Sequence, residues 1–480
     1  MSLSRMSSTT GNQSNSLFNN EQLKNNKGFS DGEAFYYQDN AMKKIYTLVI
    51  LALLFMSCQN RKEPKVGLLD RKGPISTTSE WINAKASIQT LQNDIRKKPT
   101  DQKKKLLLAL AYMQEARVTG EHPHYYPLAN DLLDDVIEST SADKNLIFEA
   151  MVAKAMVQLS LHQFEEALRT AQLAEKIDTT TASLYGVFCD AYVELGDYAK
   201  AIAAADRMTF IRPDIRSYSR ISYLREIHGD TAGAIEAMKE AIASGVPGLE
   251  QTAWARITLG GLYEAIGNLN EAEMQYRLAL AQRPNYAFAI GALGRIEAKR
   301  KNYDKSIELL KKASEIMPEF SFQQEMVQVY EITHEESRAK SITQDLLASL
   351  EQDQDAGHVV DLELANIHLD ILQDIDGAYR YAKKEYRKRP QNIDVCKTMA
   401  KIHYRRNDLD EASRLIEIAS RTNKQDTEIL CLKGLINFKL GKTKEGIELM
   451  NKALTINPFM SGNLQKEMRA VSENKIAVLK

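Results

Sequence analysis

The sequence predicts an all-α chain, a right-handed superhelix (an α-solenoid) of about nine to ten stacked helix pairs running from Trp81 to the C-terminus. Three observations predict it. A pattern of large and small residues returns every 34 positions: Leu293, Gly294, Ala313 and Pro318 repeat Leu259, Gly260, Ala279 and Pro284. Within each unit the large residues fall four apart, as Leu259 and Tyr263 do, so they stack on one helical face. Alternating strand patterns bounded by turn residues are scarce across the 480 residues, which carry 11 prolines.

The stretch from Ala253 to Tyr286 shows how one unit works. Gly267-Asn268 joins its two helices, because glycine accepts the left-handed conformation that ends a helix. Gly260 and Ala272 are small where the helices must approach, and Pro284 stops the second helix by lacking a donor N–H. Other units read the same way: Tyr185, Phe188, Tyr192, Gly196, Ala201, Met208 and Pro213 in one, Tyr218, Ile221, Gly229, Ala234, Ala241 and Pro247 in the next. The period and these residues resemble the tetratricopeptide repeat (TPR), the helix–turn–helix solenoid unit. The resemblance implies a scaffold that holds protein or peptide partners, without naming them.

In chain order, residues 1–41 are polar, rich in Asn and Ser, and without period; they are expected to be disordered. Residues 42–57 read as a lipoprotein signal peptide: Met42-Lys43-Lys44, then the apolar run Ile45 to Met56, then Ser57. That run is shorter than the roughly 20 residues a membrane span needs. Leu54-Phe55-Met56-Ser57-Cys58 resembles the bacterial lipobox, which implies lipidation of Cys58. A signal 41 residues into a chain makes Met42 the expected start of translation, with residues 1–41 an upstream extension. Gln59 in place of Asp implies the outer membrane. Residues 58–79, with Pro64, Gly67, Gly73 and Pro74, form the expected tether.

Residues 80–147 read as divergent helical repeats, residues 148–460 as the main array, and residues 461–480 as a polar capping helix. The segment from Gly120 to Pro127 reads as a loop, with a second helix from Pro127 to Ile137. Phe320 to Gln354 is a unit that loses both the turn glycine and the closing proline. His162 and His334 stand where other units carry the turn glycine, and histidine tolerates that geometry better than most residues.

Composition narrows the function. Lys plus Arg is 63 and Asp plus Glu 64, a formal charge of −1, so nothing suggests a nucleic-acid binder. No catalytic residues, cofactor or metal site are read from the sequence. Gly441-Lys442-Thr443 looks like the end of a phosphate loop, but Ile436 stands where a glycine is required. His334-Glu335 begins a zinc-protease helix whose second His would be Arg338, and His122-x-His124 lacks further ligands. Cys189 reads as packing; Cys396 and Cys431 read as separately buried thiols, with a disulfide as the alternative.

The expected partner surface is the concave one. In the resembled family, ligands contact first-helix positions that correspond here to Arg216, Tyr223, Trp254, Ile257, Phe288, Arg295 and Lys299. Aromatic residues beside arginine are the composition of binding hot spots. The Lys397, Lys401, Arg405 stripe reads instead as a solvated face. The expectation is therefore a non-enzymatic scaffold: an outer-membrane lipoprotein of the cell envelope that serves assembly, secretion or proteolysis complexes. The alternative is a glycan- or nutrient-binding lipoprotein of the starch-binding type.

Overall fold

The computed structural model describes residues 67–460 and 462–478. The lipobox, Cys58 and the segments before Gly67 lie outside the described residues. Among the described residues the chain is all-helical, with 22 α-helices and no strand.

A short 3-10 turn, Gly73–Thr77, leads into α1 (Ser79–Lys97). Ten antiparallel pairs follow. The first four are α2 (Gln102–Thr119) with α3 (His122–Ile137), α4 (Lys144–Ser160) with α5 (Phe164–Glu175), α6 (Ala182–Leu195) with α7 (Tyr198–Ile211), and α8 (Ile215–Ile227) with α9 (Thr231–Ala243). The middle three are α10 (Glu250–Ala265) with α11 (Leu269–Gln282), α12 (Ala287–Lys299) with α13 (Tyr303–Ile316), and α14 (Phe320–Ile332) with α15 (Glu336–Asp355). The last three are α16 (Asp361–Asp370) with α17 (Ile375–Lys388), α18 (Ile393–Arg405) with α19 (Leu409–Ser420), and α20 (Thr427–Lys439) with α21 (Thr443–Ile456). The last helix, α22, spans Asn463–Val478.

Each pair turns by the same device. A residue with positive φ ends the first helix, and in five of the ten pairs the next polar side chain caps the second. Asp197, Asp230, Asn268, Asp374 and Asp408 each accept the backbone N–H three residues on. His162 (φ 56°) and His334 (φ 60°) do take the left-handed conformation expected of them. The close approach expected at Gly260 is also present: a Cβ there would run into the ring of Tyr276. One reading is corrected, and the reading of the cysteines as separately buried thiols holds. The segment Gly120 to Pro127 is not a loop, because α3 starts at His122, with Pro123 in its first turn where a missing N–H costs nothing. Cys189, Cys396 and Cys431 are buried free thiols; Cys396 donates to the Pro390 carbonyl and Cys431 to that of Leu464.

The core is a succession of small clusters rather than one centre, as expected when each unit packs mainly on its neighbours. Alanines and large residues alternate in it: Ala234, Ala241 and Ala255 are fully buried around Met238 and Leu259, and Ala378, Ala382 and Ala412 around Leu415.

The array also makes contacts no 34-residue period contains. Turns between helices of early pairs dock on the loops that lead into later first helices, at separations near 195 residues. Leu161 accepts the N–H of Val359 at 2.9 Å, and His162 Nδ1 lies 3.1 Å from the Val359 carbonyl. Asn392 donates its side-chain amide to the Glu194 carbonyl at 2.9 Å, and Asn457 donates to that of Glu264 at 3.1 Å. Ion pairs run along the same line: Glu80 with Arg283, Glu194 with Arg389, and Glu226 with Lys424. The chain thus returns to itself after about six repeats of 34 residues, along a seam of hydrogen bonds and ion pairs.

Candidate functional site

The first helices carry the residues expected from the sequence to form a partner surface. On α8, Arg216 and Tyr223 are both exposed, and no side chain among the described residues forms an ion pair with the Arg216 guanidinium. Desolvation, together with the nearby Arg220, Arg117 and Arg212, pushes that guanidinium below its ordinary pKa, against the opposing pull of Asp214. An acidic group brought against Arg216 would relieve this repulsion. Arg220 itself is held by Asp190 at 2.8 Å. On α10, Trp254 is 39% exposed, and Ile257 is half-buried, packed between two core clusters. The expected surface therefore has an open part consisting of Arg216, Tyr223 and Trp254.

Its other part is closed. Phe288 on α12 is half-buried, its ring centroid 5.6 Å from that of Tyr286 and 5.9 Å from that of Phe322. Arg295 and Lys299 are committed to Glu264, with Nε–Oε1 at 2.8 Å and Nζ–Oε1 at 2.7 Å, and Tyr276 donates its hydroxyl to the same carboxylate at 2.8 Å. Glu264 is 5% exposed. Burial alone would raise its pKa, but Arg295 and Lys299 overcome that and hold it down at about 2. The physical reason is plain: a carboxylate this buried needs cations beside it, and the next first helix supplies them.

The lysine stripe on α18 is the clearest departure from the sequence reading. It is not a solvated face. Lys401 is 8% exposed, with Asp370 at 2.9 Å and Glu428 at 2.6 Å; Lys397 lies 3.3 Å from both Asp426 and Glu428. Glu428 is held at about 2 by the two lysines, against burial that would raise it. Arg405 reaches Glu467 on α22. These first-helix faces are partly or largely desolvated, Lys401 most of all, and each cation is matched by acids from neighbouring helices. Asp370 and Glu428 come from the units on either side of α18, a signal that laying adjacent repeats against one another would have shown.

These faces enclose a cavity of about 630 Å³, walled by first helices from α12 to α20 and by α22. Nothing in the 34-residue pattern marks it, because it forms only when α22 folds back against α18 and α20. Met468 of α22 is fully buried, and Tyr404 of α18 donates its hydroxyl to Glu467 at 2.5 Å. Among the described residues, no cluster of His, Cys, Asp and Glu is placed to hold a metal ion, and no helix is long and apolar enough to cross a membrane.

Repeated capped pairs, a segmental core and inward-looking first helices define the class: a helix-pair solenoid built for protein interaction. Family models of the tetratricopeptide repeat match residues 372–436 and 427–459. The chain is a tetratricopeptide repeat protein. No curated protein matches it. Among solved structures, a thermophilic TPR protein from Thermus thermophilus aligns at 21% identity over 44% of this chain and 98% of its own, with a TM-score of 0.33. Human IFIT1, as a dimer with m7Gppp-AAAA, aligns at 14% identity over 78% and 86%, with a TM-score of 0.42. PilW, a widely conserved type IV pilus biogenesis factor, aligns at 16% identity over 43% and 97%, with a TM-score of 0.36.

Proposed function

We propose that this protein is a non-enzymatic scaffold, anchored at the cell envelope by a lipid on Cys58, that holds a protein or peptide on the open face of α8 and α10. The observation that carries the reading is the pairing of exposed Tyr223 and Trp254 with Arg216, a cation crowded by other arginines and without an ion-pair partner among the described residues. A partner that offers an acidic side chain beside an apolar one would satisfy all three residues. Exposed aromatic side chains of this size are retained mainly where something covers them. Arg295 and Lys299 tie α12 to Glu264 of α10 beside this face, and Phe288 and Ile257 pack into the adjoining core.

The anchor follows from the order of basic, apolar and Ser-Cys residues from Met42 to Cys58. The expected tether is shorter than read from the sequence, because from Leu68 on it packs against the array, with Arg71 buried on Glu115. The outer membrane is the expected site, and an envelope assembly, secretion or proteolysis complex the expected setting.

The test is affinity recovery from detergent-solubilised envelope, comparing wild type with Trp254→Ala. Truncating a hot-spot aromatic costs about 2 kcal/mol, roughly thirtyfold in affinity. The variant should lose the recovered partner while keeping its helical spectrum and melting temperature. Undiminished recovery by Trp254→Ala would remove the assigned face. Equal fatty-acid labelling of wild type and Cys58→Ala would remove the anchor.

A further inference from the structure

We propose that the cavity between α14, α16, α18 and α22 is a binding site for a small zwitterion, a free amino acid or a dipeptide, separate from the partner face on α8 and α10. The cavity holds about 630 Å³, within the usual range of about 300 to 1,000 Å³ for small-molecule sites.

Its chemistry narrows the ligand. Beside its charged residues the wall carries six side-chain amides, among them Gln324 and Gln328 on α14, Asn366 on α16 and Gln465 on α22. Amides read carbonyl and N–H groups and suit a polar ligand with both. Gln465 is 6% exposed, yet its Nε2 donates to no group among the described residues. A buried donor left in that state is destabilising, because it has given up water without gaining a partner. An acceptor oxygen within the cavity would remove that cost.

The charges then select a ligand of both signs. Three of the four lysines on the wall are already used: Lys299 by Glu264, Lys397 by Asp426 and Glu428, and Lys401 by Asp370 and Glu428. The fourth, Lys466, sits beside Gln465 on α22 and has no ion-pair partner among the described residues; the same is true of Glu331 on α14. Both are exposed, so they belong to the open edge of the cavity. They sense each other electrostatically: burial and the Asp370 charge raise the Glu331 carboxyl, and Lys466 offsets only part of that rise. One uncommitted cation next to an orphaned amide donor fits a carboxylate. One uncommitted carboxylate on the facing helix fits an ammonium group. A neutral sugar would leave both charges without a counter-charge.

Calorimetric titration of the full chain with free amino acids, unblocked dipeptides, their N-acetylated and C-amidated forms, and maltose tests this. An unblocked amino acid or dipeptide should bind, and blocking either end should weaken it about tenfold or more. Lys466→Gln should abolish the penalty for amidation, and Glu331→Gln the penalty for acetylation. Both residues are exposed, so both variants should keep the wild-type helical spectrum. Arg216→Gln, on the other face, should bind like wild type. Absence of binding by every unblocked compound would overturn the proposal. So would equal affinity for blocked forms, preference for maltose, or unchanged end discrimination in both variants. None of these outcomes bears on partner recovery through Trp254.

Discussion

Two stretches of inner surface, built from the same repeat, ended up as different materials. Between α8 and α10 the first-helix positions carry Arg216, Tyr223 and Trp254, which are exposed and largely uncommitted. Between α16 and α20 the equivalent face carries Lys397, Lys401, Asp370 and Glu428, which neutralise one another in a desolvated network. Glu264 with Arg295 and Lys299 marks the boundary, where the second style begins. The repeat specifies where a side chain will stand; whether it is a contact or a strut depends on what the adjoining units place beside it. An exposed charge is worth little to stability, whereas a buried one is costly unless matched.

The sharpest way to break this comparison is at its boundary. Glu264→Ala should destabilise the protein by about 3 to 5 kcal/mol in chemical denaturation, because Arg295, Lys299 and the Tyr276 hydroxyl lose their common partner. A loss as small as that of a surface substitution would show that the network is decorative. Its pH dependence has a definite sign. The folded pKa of Glu264 is depressed to about 2, below the ordinary 4.5, so its contribution is complete above 4.5. That contribution is lost as pH falls toward 2.

Next in size is the seam. Gly196 (φ 82°) and Gly441 (φ 83°) occupy equivalent turns, but a Cβ on Gly196 would strike the backbone at Gln391, whereas one on Gly441 would meet nothing within 4 Å. Gly441→Ala should cost only the left-handed strain, about 1 to 2 kcal/mol. Gly196→Ala should cost clearly more and should broaden or split the thermal transition. Equal losses would mean that the seam contributes no rigidity.

A milder probe is acid acting on the histidines of the same seam. His122 and His358 are half-buried where the α4–α5 turn meets the loop before α16; desolvation pulls their imidazoles down to about 4 and about 3, from an ordinary 6.5. The unfolded chain therefore takes up these protons first, and stability should fall as pH drops below 6.5. Asp353, raised to about 6 by burial and the Glu363 charge, acts in the opposite sense and offsets part of the loss. His358→Asn should flatten the decline in denaturation midpoint between pH 6.5 and 4; an unaltered slope would exclude His358 from it. The smallest stability effect expected is that of Trp254→Ala, about 1 kcal/mol or less, since 39% of that residue faces solvent.

The fold was legible because it is written in short range. The period, Gly260 against Tyr276, and the left-handed histidines all depend on residues within one unit or the next. The placement of Arg216, Tyr223 and Trp254 on first helices was legible for the same reason, since it follows from repeat position. The struts were not: Arg295 and Lys401 look the same as free cations until Glu264 or Glu428 is placed opposite. Pairings such as Asn392 with Glu194 and Asn457 with Glu264 join residues 198 and 193 positions apart, and no local pattern encodes them. The cavity required both the winding of the array and the return of α22.

The seam also changes what kind of mechanical object this array is. An open stack of helix pairs behaves like a spring, since pulling its ends only tilts neighbours and each coil stretches independently. Here the coils are riveted to one another by Glu194 to Arg389, Glu226 to Lys424 and Asn457 to the Glu264 carbonyl. Tension applied between the two ends of the array would load these rivets before it bends any helix. The expected force–extension curve is a stiff initial rise with an abrupt yield, rather than the long compliant ramp of an unclamped solenoid.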